Sequence, residues 1–172
     1  ANLAAMTDTH PSAQAHSPDA VLDAVRTSTA GTLIDRMGIE VLEVPAQGAV
    51  GTMPVDGNTQ PYGLLHGGAS VVLAETLGSF AAMVHAGPGR HAVGIEVSAT
   101  HHRSARSGLV TGRAVALHLG RTTATYEVVV EDSTSRRVCT ARLTCMLIDR
   151  RVGGSTGSAS ATTGTSPVAA RD

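Results

Sequence analysis

The chain has 172 residues and a formal net charge of −1 at pH 7. That near-neutral balance removes the electrostatic argument for a nucleic-acid or membrane partner. Hydrophobic residues make up 42% but aromatics only 2%, so one domain's core must be built from Val, Leu, Ile, Ala and Met.

Residues 1–16 show no periodicity and are expected to be a disordered tail. They hold no basic stretch followed by an apolar one, so no secretory signal is read and a cytoplasmic protein is expected. Ser17-Pro18-Asp19 is a helix start: a capping hydroxyl, Pro at the first helical position, an acid in the first turn. A second short helical piece, Thr32 to Met37, ends at Gly38. Ile39–Val44 and Ala49–Val55 read as a hairpin turning at Gln47-Gly48. After a long helix closed by Gly87-Pro88-Gly89, four strands follow. In the first, Val93, Ile95, Val97 and Ala99 are assigned one face. In the second, Val115, Leu117 and Leu119 are. The third and fourth put Ala124, Tyr126, Val128 and Val130, and Cys139, Ala141, Leu143, Cys145 and Leu147, on one face each. Residues 152–172 are mostly Gly, Ser, Thr and Ala and read as a flexible tail. The domain is thus placed at 17–151. A hairpin, a buried helix and an antiparallel meander of five to six strands in all make an α+β architecture.

Cys139 and Cys145 share a strand, about 20 Å apart if extended, too far to bridge. They are expected to be buried free thiols in a reducing compartment. No metal-ligand spacing appears around them. His85 and His91 read as solvated bystanders, and His101 and His118 as packing residues.

The informative stretch is Gln60 to Ala86. From Ala69 to Val84 the apolar residues go all the way round, which predicts a helix buried on every side. Its one charge is Glu75. A buried carboxylate is costly unless paired, hydrated or protonated, so Glu75 is either a hydrogen-bonded structural acid or a group that does chemistry. His66-Gly67-Gly68 opens the same helix. Free N–H groups and partial positive charge gather there, and the glycines let a ligand approach. The arrangement suits an oxygen that becomes negative during a reaction. Glu75 lies about 12–13 Å along the axis from His66 and Gly67. One small reacting group cannot span that distance. Either two sites exist, or one site is shared by two antiparallel copies of the helix in a homodimer. Ser79, at i+4, shares the face of Glu75 and is positioned to orient the carboxylate or a water.

The run Gln60-Pro61-Tyr62-Gly63-Leu64-Leu65-His66-Gly67-Gly68, continued to Glu75, resembles the signature of hotdog-fold acyl-CoA thioesterases. It is nearest in motif to the branch of Arthrobacter-type 4-hydroxybenzoyl-CoA thioesterase and the 1,4-dihydroxy-2-naphthoyl-CoA thioesterase of menaquinone biosynthesis. Thr100 to Arg106 and Leu117 to Thr122 echo it, over residues 30–150 in all. His102 departs from the pattern, which expects an apolar residue there. The resemblance implies a hotdog fold, one helix wrapped by a sheet, and an acyl-CoA substrate. It implies Glu75 as nucleophile or general base, Gly67 as the carbonyl-polarising N–H, and His66, Gln60 and Ser79 as supporting catalytic groups. Gly68, Arg103, Arg106, Arg121 and Thr122 fall where the branch contacts CoA. It further implies a homodimer, commonly paired into a tetramer, with no metal and no cofactor beyond the CoA of the substrate. The alternatives are a non-catalytic acyl-CoA binding module, a broad-specificity housekeeping thioesterase and a hotdog hydratase. No Asp lies between Asp56 and Asp132 to serve the last.

Overall fold

A computed structural model describes residues 18–150. The two predicted tails and the Ser17 cap lie outside them. The elements are α1 (Pro18–Ser28), α2 (Leu33–Arg36), β1 (Glu40–Glu43), β2 (Gly48–Pro54), α3 (Gly67–Ala86), β3 (Arg90–His101), β4 (Leu109–Leu119), β5 (Thr123–Asp132) and β6 (Arg137–Asp149). All six strands join one antiparallel sheet in the order β1-β2-β4-β5-β6-β3. Its concave face holds α3, the arrangement of a hotdog fold.

The helix sits close because glycines clear its path. A Cβ on Gly51 or Gly112 would come within 2.8 or 2.6 Å of the δ-carbons of Leu77, and one on Gly78 within 2.6 Å of Leu143. Leu73, Ala74, Leu77, Ala81 and Ala82 are fully buried there, against Tyr126, Val128, Val130 and Cys145. Burying a leucine side chain in this way stabilises by about 1.5–3 kcal/mol. Tyr126 donates its hydroxyl to the Ala46 carbonyl at 2.9 Å, so its polar end is satisfied inside the core. Burial foremost, with Cys145 alongside, pushes its phenol up to about 12.

Three features differ from the sequence expectation. First, β3 does not join the meander. It pairs with β6 at the far edge, and β2 takes the place beside β4, because α3 carries the chain across the sheet between β2 and β3. Second, the predicted faces of β3 and β4 change phase. A bulge between Gly94 and Glu96 leaves Ala92 and Gly94 opposite inward residues, then Val97 and Ala99; Val93 turns outward. A bulge between Ala116 and His118 follows inward Val110, Gly112 and Ala114, with Val115 and Leu117 exposed. One inserted residue reverses the alternation beyond it. Third, α3 is not enclosed on every side. Its outer face holds half-buried Val71, Val72, Ser79 and Phe80, and exposed Glu75 and Met83.

Candidate active site

The turn before α3 is built by backbone bonds. The Gln60 N–H donates to the Leu64 carbonyl at 2.8 Å, Leu65 to Ala105 at 2.8 Å, and His66 to Asn58 at 2.9 Å. His66 then caps α3: its backbone is extended and its Nδ1 accepts the Gly68 N–H at 2.9 Å. The His66 carbonyl accepts the Ala69 N–H at 2.9 Å. The Gly67 N–H is left with no acceptor among the described residues. It points to a free donor at the positive end of a 20-residue helix.

That donor borders a cavity of about 370 Å³ lined by Gln60, Gly67, Ser70, His101, His102 and Arg103, among others. The loop after β3 forms its other wall: His102 and Arg103 both donate their backbone N–H to Val138, and the Arg103 guanidinium donates to the Arg137 carbonyl at 3.3 Å. His101, read from sequence as packing, stands against the helix start, where a Cβ on Gly67 would lie 2.8 Å from its Nε2. His102 meets the Thr140 hydroxyl at 3.0 Å. Arg106 lies on the same loop, exposed, and does not line the cavity. Gly68 is exposed beside the His66 ring.

Glu75 and Ser79 border a different cavity, about 350 Å³, with Leu33, Ile34, Val72, Thr76 and Phe80. Glu75 is exposed within the single chain, so the cost expected for a buried charge does not arise there. One carboxylate oxygen lies 3.2 Å from where a Cβ of Gly94 would stand, and a side chain at that β3 position would crowd it. Ser79 points toward the sheet: its hydroxyl is 4.0 Å from the Cys145 sulfur. Burial foremost raises the Cys145 thiol, and the nearby Glu75 charge raises it too, against the Ser79 hydrogen bond that lowers it. Burial raises Cys139 as well. Both thiols are free and buried.

Arg121 and Thr122 are exposed in the β4–β5 turn. That turn belongs to the opposite end of α3, where the His85 imidazole meets the Gly120 carbonyl at 2.9 Å; His85 is no bystander. One chain therefore brings Gln60, Gly67 and Arg103 together, Glu75 and Ser79 together, and Arg121 with Thr122, in three separate places. Sequence reasoning missed Ser70, Leu33, Ile34, Val72 and Phe80 as cavity residues, since nothing in local spacing marks them. Among the described residues, no group of three or more His, Cys, Asp or Glu gathers in a way that could hold a metal ion. The helix α3 is long and apolar enough to cross a membrane by length and composition, yet half of it is buried against the sheet as the core helix.

A helix wrapped by six antiparallel strands defines the class, a hotdog fold, and the relatives make it a thioester hydrolase. Residues 62–139 match the Thioesterase superfamily. The chain is 47% identical over 123 residues to the proofreading thioesterase EntH of Cronobacter turicensis, covering 71% of this chain and 90% of that one. The EntH of Klebsiella pneumoniae gives the same identity and coverage. Among solved structures, a mutant thioesterase of Pseudomonas aeruginosa superposes with TM-score 0.73 at 39% identity, covering 78% of this chain and 97% of that one. A thioesterase of Haemophilus influenzae gives 0.72 at 35%, covering 76% and 92%. The chain belongs to the Thioesterase superfamily.

Proposed function

We propose that the protein hydrolyses an acyl-CoA thioester to a free acid and CoA, in a site completed by a second copy of the chain. The observation that carries this reading is the pair of half-sites on one helix: a donor at Gly67 with no acceptor among the described residues, and an exposed carboxylate at Glu75. The Gly67 N–H receives the thioester carbonyl oxygen, and His66 and Gln60 hold the group in place. Glu75 takes a proton from water, whose oxygen adds to the carbonyl carbon. The negative oxygen that results is held by the helix N-terminus. The C–S bond then breaks, and the CoA thiolate leaves and takes up the proton. Glu75 attacking the carbon directly, to give an anhydride that water opens, serves the same ends. Neither route draws on a metal or cofactor.

The partner copy is argued from β3. It is an edge strand whose outer backbone groups lie open, and its Val93, Ile95 and Val97 are 45%, 53% and 37% exposed. Two such edges pairing antiparallel would bring His66 and Gly67 of one subunit toward Glu75 of the other. They would also bring Arg103 and Arg106 of one toward Arg121 and Thr122 of the other, so that one CoA meets both sets through its phosphates. A dimer of such dimers is the expected final assembly. The free thiols fit the reducing cytoplasm.

The apolar lining beside Glu75 favours a bulky acyl group, and motif likeness puts 1,4-dihydroxy-2-naphthoyl-CoA first among candidates. The name borne by the relatives, proofreading thioesterase, favours a second reading, in which the enzyme clears wrongly made thioesters. The test is release of CoA thiol from benzoyl, hydroxybenzoyl, dihydroxynaphthoyl, phenylacetyl and fatty acyl esters, with wild type and Glu75→Gln. One sharply preferred aryl ester supports a pathway enzyme, and a broad set supports clearance. Glu75→Gln should lower kcat by about 10²-fold or more, as loss of a positioned base does, while still binding the ester. Unchanged turnover in Glu75→Gln would remove the proposed role.

A further inference from the structure

One wall of the cavity beside Glu75 lies outside α3 and carries none of the reacting groups. It is α2, a four-residue helix with no buried residue, which presents Leu33 and Ile34 opposite Val72 and Phe80 of α3. Leu33 is 56% exposed, so it is not there to fill the core. A helix this short does not hold itself together in water; its place is set by clamps. At its start the Gly31 N–H donates to an Asp35 carboxylate oxygen at 3.0 Å. At its end Gly38, at φ +64°, lets the chain turn, and a Cβ there would come within 3.0 Å of the Pro54 ring. The remaining clamp is Asn58. Its side-chain amide donates to the Met37 carbonyl at 2.8 Å and to the Pro54 carbonyl at 2.9 Å. Met37 is the last residue of the α2 turn. A carboxamide has two N–H donors, and both are used. The backbone carbonyl of Asn58 accepts the His66 N–H at 2.9 Å, and His66 caps α3. Asn58 thus ties the α2 wall, the end of β2 and the start of α3 to one residue.

We propose that α2 is the acyl-selecting wall of this active site, with Leu33 touching the acyl group of the thioester and Asn58 acting as the positioning residue that sets the wall's distance from Glu75. The proposal rests on the reading of Glu75 as catalytic. The ligand class is an apolar acyl group large enough to reach from Glu75 to α2, with acetyl as the short reference ester. A purely structural Asn58 would change stability and affect all esters alike, whereas a positioning Asn58 changes selectivity.

The experiment measures kcat/KM for a bulky aryl-CoA and for acetyl-CoA with wild type, Leu33→Ala and Asn58→Asp. The Asp variant keeps the shape but turns a carboxylate oxygen toward two carbonyl oxygens. In both variants the bulky-to-acetyl ratio should fall about 10-fold, the effect of removing apolar contact from one part of a substrate pocket. Because Leu33 is exposed, Leu33→Ala keeps the fold and remains decisive where Asn58→Asp folds poorly. A ratio unchanged in Leu33→Ala, or a parallel fall for both esters, overturns the proposal. Glu75→Gln run alongside separates the failures: full activity there overturns the catalytic reading, whereas an inactive Glu75→Gln with unchanged Leu33→Ala selectivity overturns only the wall.

Discussion

Asp132 shows how much one carboxylate does for a turn. In the β5–β6 connection its Oδ1 accepts the Thr134 N–H at 2.9 Å, the Thr134 hydroxyl at 2.7 Å and the Arg136 N–H at 3.1 Å. Its Oδ2 accepts the Arg136 guanidinium at 2.9 Å. The Thr134 hydroxyl first, then the Arg136 side chain, holds the carboxyl well below the usual carboxylate range. A carboxylate lowered in the folded state stabilises the protein above its unfolded value of 3.8, and that contribution is lost as pH falls through the folded value. Asp132→Asn should therefore lower the urea midpoint at neutral pH, and the gap from wild type should narrow progressively below about pH 4. An equal gap at neutral pH and in acid would show that the ionised form is not what holds the turn. The same scale marks the limit of spacing arguments. Glu75 and Ser79 share a helix face as their i+4 spacing requires, yet the Ser79 hydroxyl lies 4.0 Å from the Cys145 sulfur on β6, a neighbour that helical spacing cannot reveal.

At the scale of elements, backbone packed against side chains decides more than propensity does. Gly51 sits inside β2, where a glycine interior weakens a strand, so propensity alone predicts that Gly51→Ala stabilises. Packing predicts the reverse. A Cβ there would fall 2.7 Å from the Glu40 carbonyl oxygen, which is backbone of the neighbouring strand, and 2.8 Å from Leu77. Overpacking of this kind costs about 1–3 kcal/mol. Equilibrium urea unfolding of Gly51→Ala should show that loss; a gain in stability would mean that β1 and α3 give way easily. The bulges in β3 and β4 belong to this scale too. Nothing in Val93-Gly94-Ile95-Glu96 or Ala116-Leu117-His118 announces an extra residue, since a bulge is defined by its partner strand. The period-two reading therefore worked for β5 and β6, where the register shift falls only at the end of the pairing, between Val130 and Glu131, and slipped in β3 and β4, whose bulges lie within the predicted face.

At the scale of the whole molecule, the outer face of α3 and the open edge of β3 lie next to one another, and our proposal covers both with one partner. Mixing subunits tests it. Dimers that carry His66→Ala and Gly67→Ala in one subunit and Glu75→Gln in the other would regain one intact site of the two, about half the wild-type activity, if the site is shared between symmetric copies. No recovery in properly mixed dimers would return the site to a single chain.

Much of this could be read without coordinates. The helix at Gly67–Ala86, its stop at Gly87, the two inward faces of β5 and β6, and the family itself follow from periodicity and one unusual run of residues, because those signals are local. That His66-Gly67-Gly68 opens the helix follows likewise, whereas the cap that the His66 ring makes on the Gly68 N–H is visible only in the structure. Other features needed the tertiary structure. The strand order depends on where α3 carries the chain. Glu75's exposure depends on which helix face the sheet covers. The contacts of His101 with Gly67, His85 with Gly120 and Asn58 with Met37 join residues far apart in sequence. Local spacing fixes which side of an element a residue occupies; only the packing of elements fixes what stands on that side.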